Sequence, residues 1–367
     1  MASAADGVLG RGSSEVAVER ALAEVRAGRP VRIEGAGASI LVLGAEAVDA
    51  EVAAALDAAR VSEARLVLPA PRLMKLGAPR AQAGVVALPR VDASRIAHLA
   101  LRADAHVDAP VGPACPLDLA ALELLGLALV LPAAVVWSAP AQTDALTVAA
   151  ADVMAYRATQ VARLRIVGRA PVPLEGAPET EFVVFRGGEG LRDQVAIIVG
   201  RPDLGQPVAV RLHSACLTGD LFGSLKCDCG DQLRDTVRRM AHGAGGILLY
   251  LDQEGRGNGI SNKMRAYALQ AQGYDTYDAD AALGFDLDQR RFDFAAGMLR
   301  QLGVHAVRVL TNNPQKIAAL KAAGLDVVAD QRVLGRPTAE NVRYLASKRD
   351  RAGHYIDFDT LAARAPD

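Results

Sequence analysis

Three cysteines within fourteen residues, Cys216, Cys227 and Cys229, are the side chains of this sequence most suited to chemistry. Ten residues separate the first from the second, and Asp228 stands between the second and the third. Such a cluster in a long chain reads as metal or redox chemistry before it reads as a disulfide framework. Zinc takes thiolate and imidazole ligands in a tetrahedral shell, and three cysteines leave its fourth position open for water or substrate. Thiolates donate negative charge, so they lower the pKa of a bound water less than neutral ligands do. His213 is the histidine nearest in sequence. As a fourth ligand it would close the shell and make the zinc structural. Spacing alone leaves catalytic zinc, structural zinc and three buried thiols open.

The rest of the chain bounds what such a site can serve. At 367 residues it exceeds one ordinary hydrophobic core, so two domains are expected. Its 41 basic and 42 acidic residues nearly cancel, which argues against a nucleic-acid binder. Met1 to Ser14 lack the basic start and apolar run of a secretory leader. The longest apolar stretch, Leu124 to Trp137, is shorter than the roughly 20 residues of a membrane helix and is interrupted by Pro132. It reads as a buried helix followed by a buried strand. A cytoplasmic protein without membrane attachment is expected.

Two textures divide the chain near residue 165. Residues 1–165 are rich in Ala, Leu and Val, with helical spacing over Val16–Val25 and over 93–104 and 116–125. Short strands at Val31–Ile33 and Leu66–Leu68 make this half mixed α/β. Gly168–Pro178, with three prolines, reads as a linker or the entry to a first strand. Residues 166–367 begin with β-branched and aromatic runs at Phe182–Phe185 and Val195–Val199. Helices are expected at about 231–242, 261–272, 294–302 and 314–323, with buried strands at Ile247–Leu251 and Val307–Leu310. The expected fold is α+β or mixed α/β: a C-terminal mixed sheet with helices carrying the zinc site, and an N-terminal α/β domain. Asn312 or Asn313 before Pro314 is a helix start with proline in its first turn, an end that can receive phosphate, with Lys316 adding charge.

The run Arg211-Leu212-His213-Ser214-Ala215-Cys216-Leu217-Thr218-Gly219-Asp220, followed by Lys226-Cys227-Asp228-Cys229-Gly230, closely resembles the zinc signature of GTP cyclohydrolase II. Gln253-Glu254-Gly255-Arg256, Asn262 to Gln270, Gly273-Tyr274-Asp275-Thr276, Leu283-Gly284-Phe285, Asp288, Arg290 and Thr311 to Lys316 match the same family in order. The resemblance spans about residues 170–356. It implies that GTP is the substrate and that zinc on the three cysteines supplies hydroxide to C8. The ring opens, formate leaves, and the triphosphate is cleaved. The product is a diaminopyrimidinone ribosylamino 5′-phosphate, the first intermediate of riboflavin biosynthesis.

The same resemblance implies residue roles. Asp288 stands where the family has its proton acceptor and Tyr267 where it has a tyrosine that helps position water. Arg290 stands where the family places a nucleophile toward the α-phosphorus. A guanidinium stays protonated and offers no free lone pair, so a bidentate phosphate clamp is the easier chemistry. Arg211, Leu212, His213, Ser214, Gln232, Glu254, Gly255, Arg256, Thr276, Thr311 and Lys316 match substrate contacts. Mg²⁺ with the triphosphate and a homodimer are implied as well.

The sequence departs from the family at Ala215, usually glutamate, at Gln289, and over Gly257–Ser261. These departures leave open a paralogue that acts on another purine nucleotide or stops at an intermediate. A zinc-stabilised regulator without turnover is the third reading, which the intact Asp288, Arg290, Tyr267 and cysteines oppose. Residues 18–31 and 116–120 weakly resemble a 3,4-dihydroxy-2-butanone 4-phosphate synthase. Its acidic metal-binding loop is replaced by Glu34-Gly35-Ala36-Gly37-Ala38-Ser39. A degenerate, catalytically silent synthase-like domain is therefore expected over 1–165.

Overall fold

Apolar residues at alternating positions build two seven-stranded sheets in a computed structural model of the chain, which describes residues 13–189, 192–286, 288–333, 335, 338 and 341–356. Most of the opening stretch read above for a leader lies outside the described residues. The first sheet contains β1 (Val31–Gly35), β2 (Ala38–Gly44), β3 (Arg65–Leu68), β4 (Gly84–Ala87), β5 (Val111–Pro113), β6 (Ala134–Ser138) and β7 (Leu146–Ala149). Their order is β5-β4-β3-β6-β2-β1-β7, antiparallel except for the β1–β7 pair. Successive side chains of a strand point to opposite faces. Leu41, Leu43, Leu66, Leu68, Val135 and Trp137 accordingly enter one core, while Ile40, Val42, Val67, Ala134 and Val136 enter another. The apolar stretch Leu124–Trp137 resolves into the end of the helix Pro116–Leu127 and the buried strand β6.

The second sheet contains β8 (Arg165–Pro171), β9 (Thr180–Glu189), β10 (Arg192–Val199), β11 (Val208–Ser214), β12 (Gly246–Leu251), β13 (Ala306–Leu310) and β14 (Asp326–Gln331), in the order β14-β13-β11-β12-β10-β9-β8. It is antiparallel from β8 through β10 to β12 and parallel from β12 through β11 and β13 to β14. Only the start of the proline-rich stretch, Gly168 to Pro171, lies in the exposed edge strand β8, and Pro173 and Pro178 follow it outside any strand. Helices Cys229–His242, Ile260–Ala271, Asp293–Gln301 and Pro314–Ala322 stand within two residues of their expected bounds. Asn313 caps the last of them, accepting from Gln315 N at 2.9 Å with Pro314 in the first turn. The short helices Ala70–Lys75, Leu217–Asp220 and Thr276–Ala282 had no periodic signal long enough to read.

The chain forms two compact units whose division is not linear. One contains residues 1–156, 258–274 and 278–289; the other contains 157–257, 275–277 and 290–367. A boundary at 165/166 divides the sequence by texture. The compact units differ because Ala266, Leu269, Ala279, Ala282, Leu283 and Phe285 are buried in the same core as Leu66 and Leu68. No described helix is long and apolar enough to cross a membrane.

Candidate active site

Parallel strands β11, β12 and β13 end on the same side of the second sheet, and most of the singled-out residues of that unit lie at or just beyond those ends. His213 and Ser214 close β11, Glu254 follows β12, and Thr311 follows β13. Open α/β sheets take ligands outside the carboxyl ends of their strands. Cys216 comes two residues after β11, at the N-cap of the helix Leu217–Asp220, and Cys229 opens the helix Cys229–His242. Cys227 lies between the two helices and brings the three sulfurs within 4.8 Å of one another.

The sulfurs of Cys216 and Cys227 are 3.6 Å apart and form no disulfide. A tetrahedral thiolate site with metal–sulfur bonds of about 2.3 Å has sulfur–sulfur edges of about 3.8 Å. Contact with Cys216, and burial, push the Cys227 and Cys229 thiols well above the usual range. Three thiols this close resist ionisation together, and a divalent cation among them would reverse that balance. Gly219 completes the cradle. A Cβ there would lie 2.6 Å from Cys227 Sγ and 3.0 Å from Cys216 Sγ. The residues present therefore fit a metal.

Asp220 braces the cradle from below. Its carboxylate accepts from Cys216 N at 2.9 Å, from the Tyr250 hydroxyl at 3.0 Å, and pairs with His213 Nε2 at 3.0 Å. The His213 and Tyr250 rings stack at 5.6 Å. Burial lowers the His213 pKa despite Asp220, and burial followed by the Asp220 charge raises that of Tyr250. His213 turns its imidazole to Asp220, and its buried Nδ1 has no partner among the described residues. The alternative in which His213 closes the shell as a fourth ligand is not favoured by this geometry, since the metal-binding group contains the three cysteines and not His213. Glu254 holds the cradle's other side, accepting from Leu217 N at 2.6 Å.

Basic groups gather on the floor of the same unit. Arg211 is 6 % exposed and donates to Gln232 Oε1 at 2.6 Å and Leu310 O at 3.3 Å. Lys316 is 7 % exposed and donates to Leu212 O at 2.6 Å. Lys316 Nζ and Arg290 Cζ lie 5.2 and 5.6 Å from the centroid of the buried Phe292 ring. Cation–π attraction holds both charges beside one ring. Leu212 itself is a core side chain. Thr311 Oγ1 accepts from Asn313 N at 3.0 Å, and the buried Ser214 hydroxyl has no partner among the described residues. Gly255 and Arg256 both have positive φ, 62° and 63°. Glycine adopts that region freely and arginine rarely. Arg256 is held there with its guanidinium 4.2 Å from the Tyr277 centroid, one residue beyond Thr276, which opens the helix Thr276–Ala282.

Tyr267 and Asp288 belong to the first unit. Tyr267 is half-buried on the helix Ile260–Ala271, its ring 5.6 Å from Lys263 Nζ one turn earlier. Asp288 is half-buried in the segment after Phe285. Sequence reasoning assigned no role to Asp220, Tyr250 or Phe292. Asp220 stood in a quoted motif four residues after Cys216, a helical spacing that was the available signal. Tyr250 and Phe292 carried none.

A thiol cradle and the buried basic groups Arg211 and Lys316 thus lie in one unit, around the carboxyl ends of its parallel strands. The family model described as GTP cyclohydrolase II matches residues 165–332. A GTP cyclohydrolase-2 from Xylella fastidiosa (strain Temecula1 / ATCC 700964) is 44% identical over 358 residues, covering 95% of this chain and 89% of that protein. One from Azospirillum brasilense is 42% identical over 365 residues, covering 92% and 93%. One from Actinobacillus succinogenes is 45% identical over 196 residues, which is 53% of this chain but 90% of that protein. A solved two-domain 3,4-dihydroxy-2-butanone 4-phosphate synthase from A. baumannii covers 87% of the chain at 17% identity and a TM-score of 0.32, too low to carry a fold assignment. The chain belongs to the GTP cyclohydrolase II family. It is an enzyme that hydrolyses GTP in riboflavin biosynthesis.

Proposed function

We propose that the chain carries out the full cyclohydrolase II reaction: opening of the imidazole ring of GTP, loss of C8 as formate, and cleavage of the triphosphate to leave a 5′-phosphate. The observation that carries this reading is the convergence of Cys216, Cys227 and Cys229 in the same unit that gathers Arg290 and Lys316 at Phe292. Zinc is the metal this donor set favours, and it would supply Lewis-acid chemistry for hydrolysis at C8. Asp288 is assigned as the proton acceptor for the attacking water. Tyr267, its ring beside Lys263, orients that water. Arg290 and Lys316 neutralise phosphate charge, and the positive end of the dipole of the helix beginning at Pro314 favours the same anion. Arg290 acts as a clamp, because a protonated guanidinium has no lone pair to attack phosphorus. Mg²⁺ would accompany the triphosphate and offset its charge.

Arg211, Gln232 and His213 bond within the protein. Their part in binding is to fix the backbone around Ser214 and to charge the floor of the site. The remaining contacts, Ser214, Glu254, Gly255, Arg256, Thr276 and Thr311, line the approach. Glu254 brings a carboxylate to Leu217, two residues from Ala215. That supports retention of GTP as substrate despite the lost glutamate. A cytoplasmic homodimer and a catalytically silent N-terminal half complete the reading. The test is incubation of the full chain with GTP, Zn²⁺ and Mg²⁺. Stoichiometric formate, pyrophosphate and the diaminopyrimidinone 5′-phosphate are expected. Pyrophosphate without formate would reassign the protein to a paralogue that stops early, and release of neither would remove the proposal.

A further inference from the structure

The first compact unit contains more than the N-terminal half of the sequence. Residues 258–274 and 278–289 are part of it, and they carry Tyr267 and Asp288. Their apolar side chains have no separate core. Ala266, Leu269, Ala279, Ala282, Leu283 and Phe285 belong to the same buried cluster as Leu43, Leu68, Leu73 and Leu99. Polar contacts repeat the pattern. Asn262 Nδ2 donates to Leu129 O at 3.2 Å, Arg265 pairs with Glu46 at 2.8 Å, and Lys75 pairs with Asp278 at 2.9 Å.

Arg72 is the centre of this attachment. It is 1 % exposed, and its partners are four backbone carbonyls: Leu99 O at 2.7 Å, Arg102 O at 2.7 Å, His98 O at 3.3 Å and Ala282 O at 2.5 Å. Among the described residues no carboxylate pairs with it. A buried cation is costly unless its donors are all used. Here the guanidinium spans the carbonyl ends of two helices, Ala93–Leu101 and Thr276–Ala282, where the helix dipoles favour positive charge. Burial lowers its pKa to about 10, so it stays charged at neutral pH. Immediately beyond, Gly284 has φ +90°, and a Cβ there would lie 2.9 Å from Pro69 Cγ and 3.4 Å from Arg72 Cβ. The turn leading to Asp288 is thus moulded against the helix Ala70–Lys75.

We propose that the N-terminal half serves the cyclohydrolase reaction as the template that folds residues 258–274 and 278–289, with Arg72 as the positioning residue that fixes the turn from which Asp288 departs. This rests on the reading of Tyr267 and Asp288 as catalytic. A silent synthase-like domain is then an integral part of the catalytic machinery, although no synthase residue of it reacts.

Arg72→Met in the full chain is the test. Hydrogen exchange in peptides covering 276–286 is expected to accelerate about tenfold or more, while exchange in 211–232 and the metal content stay parental. The kcat for GTP is expected to fall about tenfold or more with KM changed by less than about threefold. Arg72→Lys, which keeps the charge but not the planar fork, is expected to recover part of both effects. Parental exchange over 276–286, or accelerated exchange with parental kcat, overturns the proposal. Should Arg72→Met fail to fold, Arg72→Lys and Lys75→Met decide: parental exchange and kcat in both overturn it as well. Asp288→Asn with parental kcat would instead remove the catalytic reading and leave the exchange result standing.

Discussion

Gly219→Ala is the smallest change that addresses the metal cradle directly. Gly219 lies in the short helix Leu217–Asp220 and has no positive φ, so alanine meets no backbone penalty there. By helix propensity alone the substitution would stabilise by up to about 1 kcal/mol. The added Cβ, however, falls 2.6 Å from Cys227 Sγ, 3.0 Å from Cys216 Sγ and 3.1 Å from Cys229 Cβ. Relief requires the cradle to spread by about 1 Å, whereas metal–ligand distances tolerate only about 0.2 Å. Disturbing the support of a metal ligand typically costs 10–100-fold in affinity. Moving the ligand sulfurs themselves is expected to cost about 100-fold, or about 2.7 kcal/mol. Competition with a calibrated chelator measures the affinity, and cobalt substitution reports thiolate coordination through its charge-transfer band. Gly168→Ala, where an added Cβ meets nothing within 4 Å, is the control and is expected to match the parent. Parental zinc affinity together with a parental cobalt spectrum in Gly219→Ala would refute the assignment of these three sulfurs to one metal.

Asp220→Asn keeps the shape of the brace but removes its charge from His213 and Cys216 N, so zinc affinity is expected to fall about 10–100-fold, read by the same competition. Arg65→Met strands the buried carboxylate of Asp118, which Arg65 pairs with at 2.7 Å, and is expected to destabilise the chain by about 3 kcal/mol in urea unfolding. Asn313→Ala removes the cap of the helix Pro314–Ala322 and is expected to cost about 1 kcal/mol in the same assay, with a rise in KM for GTP if that helix end receives phosphate.

What the sequence disclosed follows the range of the interactions concerned. Apolar spacing located four helices after residue 228, Cys229–His242, Ile260–Ala271, Asp293–Gln301 and Pro314–Ala322, but neither the short Thr276–Ala282 nor Val342–Ala352. The three cysteines were legible because metal coordination demands particular atoms at short range. Arg290 and Lys316 were named from motifs, but their meeting at Phe292 joins residues 24 and 26 positions apart along no periodic pattern. The same limit hid the sharing of one core by Leu68 and Leu283. Apolar spacing marks a face as buried and says nothing about what buries it, since the hydrophobic effect is non-directional. Asp220 was hidden for another reason. A carboxylate four residues from a cysteine looks like an ordinary helix acid until Tyr250 and His213 are seen to converge on it.

The non-linear division of the chain also sets a schedule for its synthesis. The core that holds Leu68, Leu73 and Leu99 lacks Ala266 through Phe285 until residue 289 has been made, 133 residues after the unit's first stretch ends at 156. At typical elongation rates that gap lasts roughly 7–27 s. During it the nascent N-terminal half exposes the apolar face that the later segment will cover. Chaperone dependence during translation, and poor recovery of chains truncated before 289, are the expected marks of a fold that closes late.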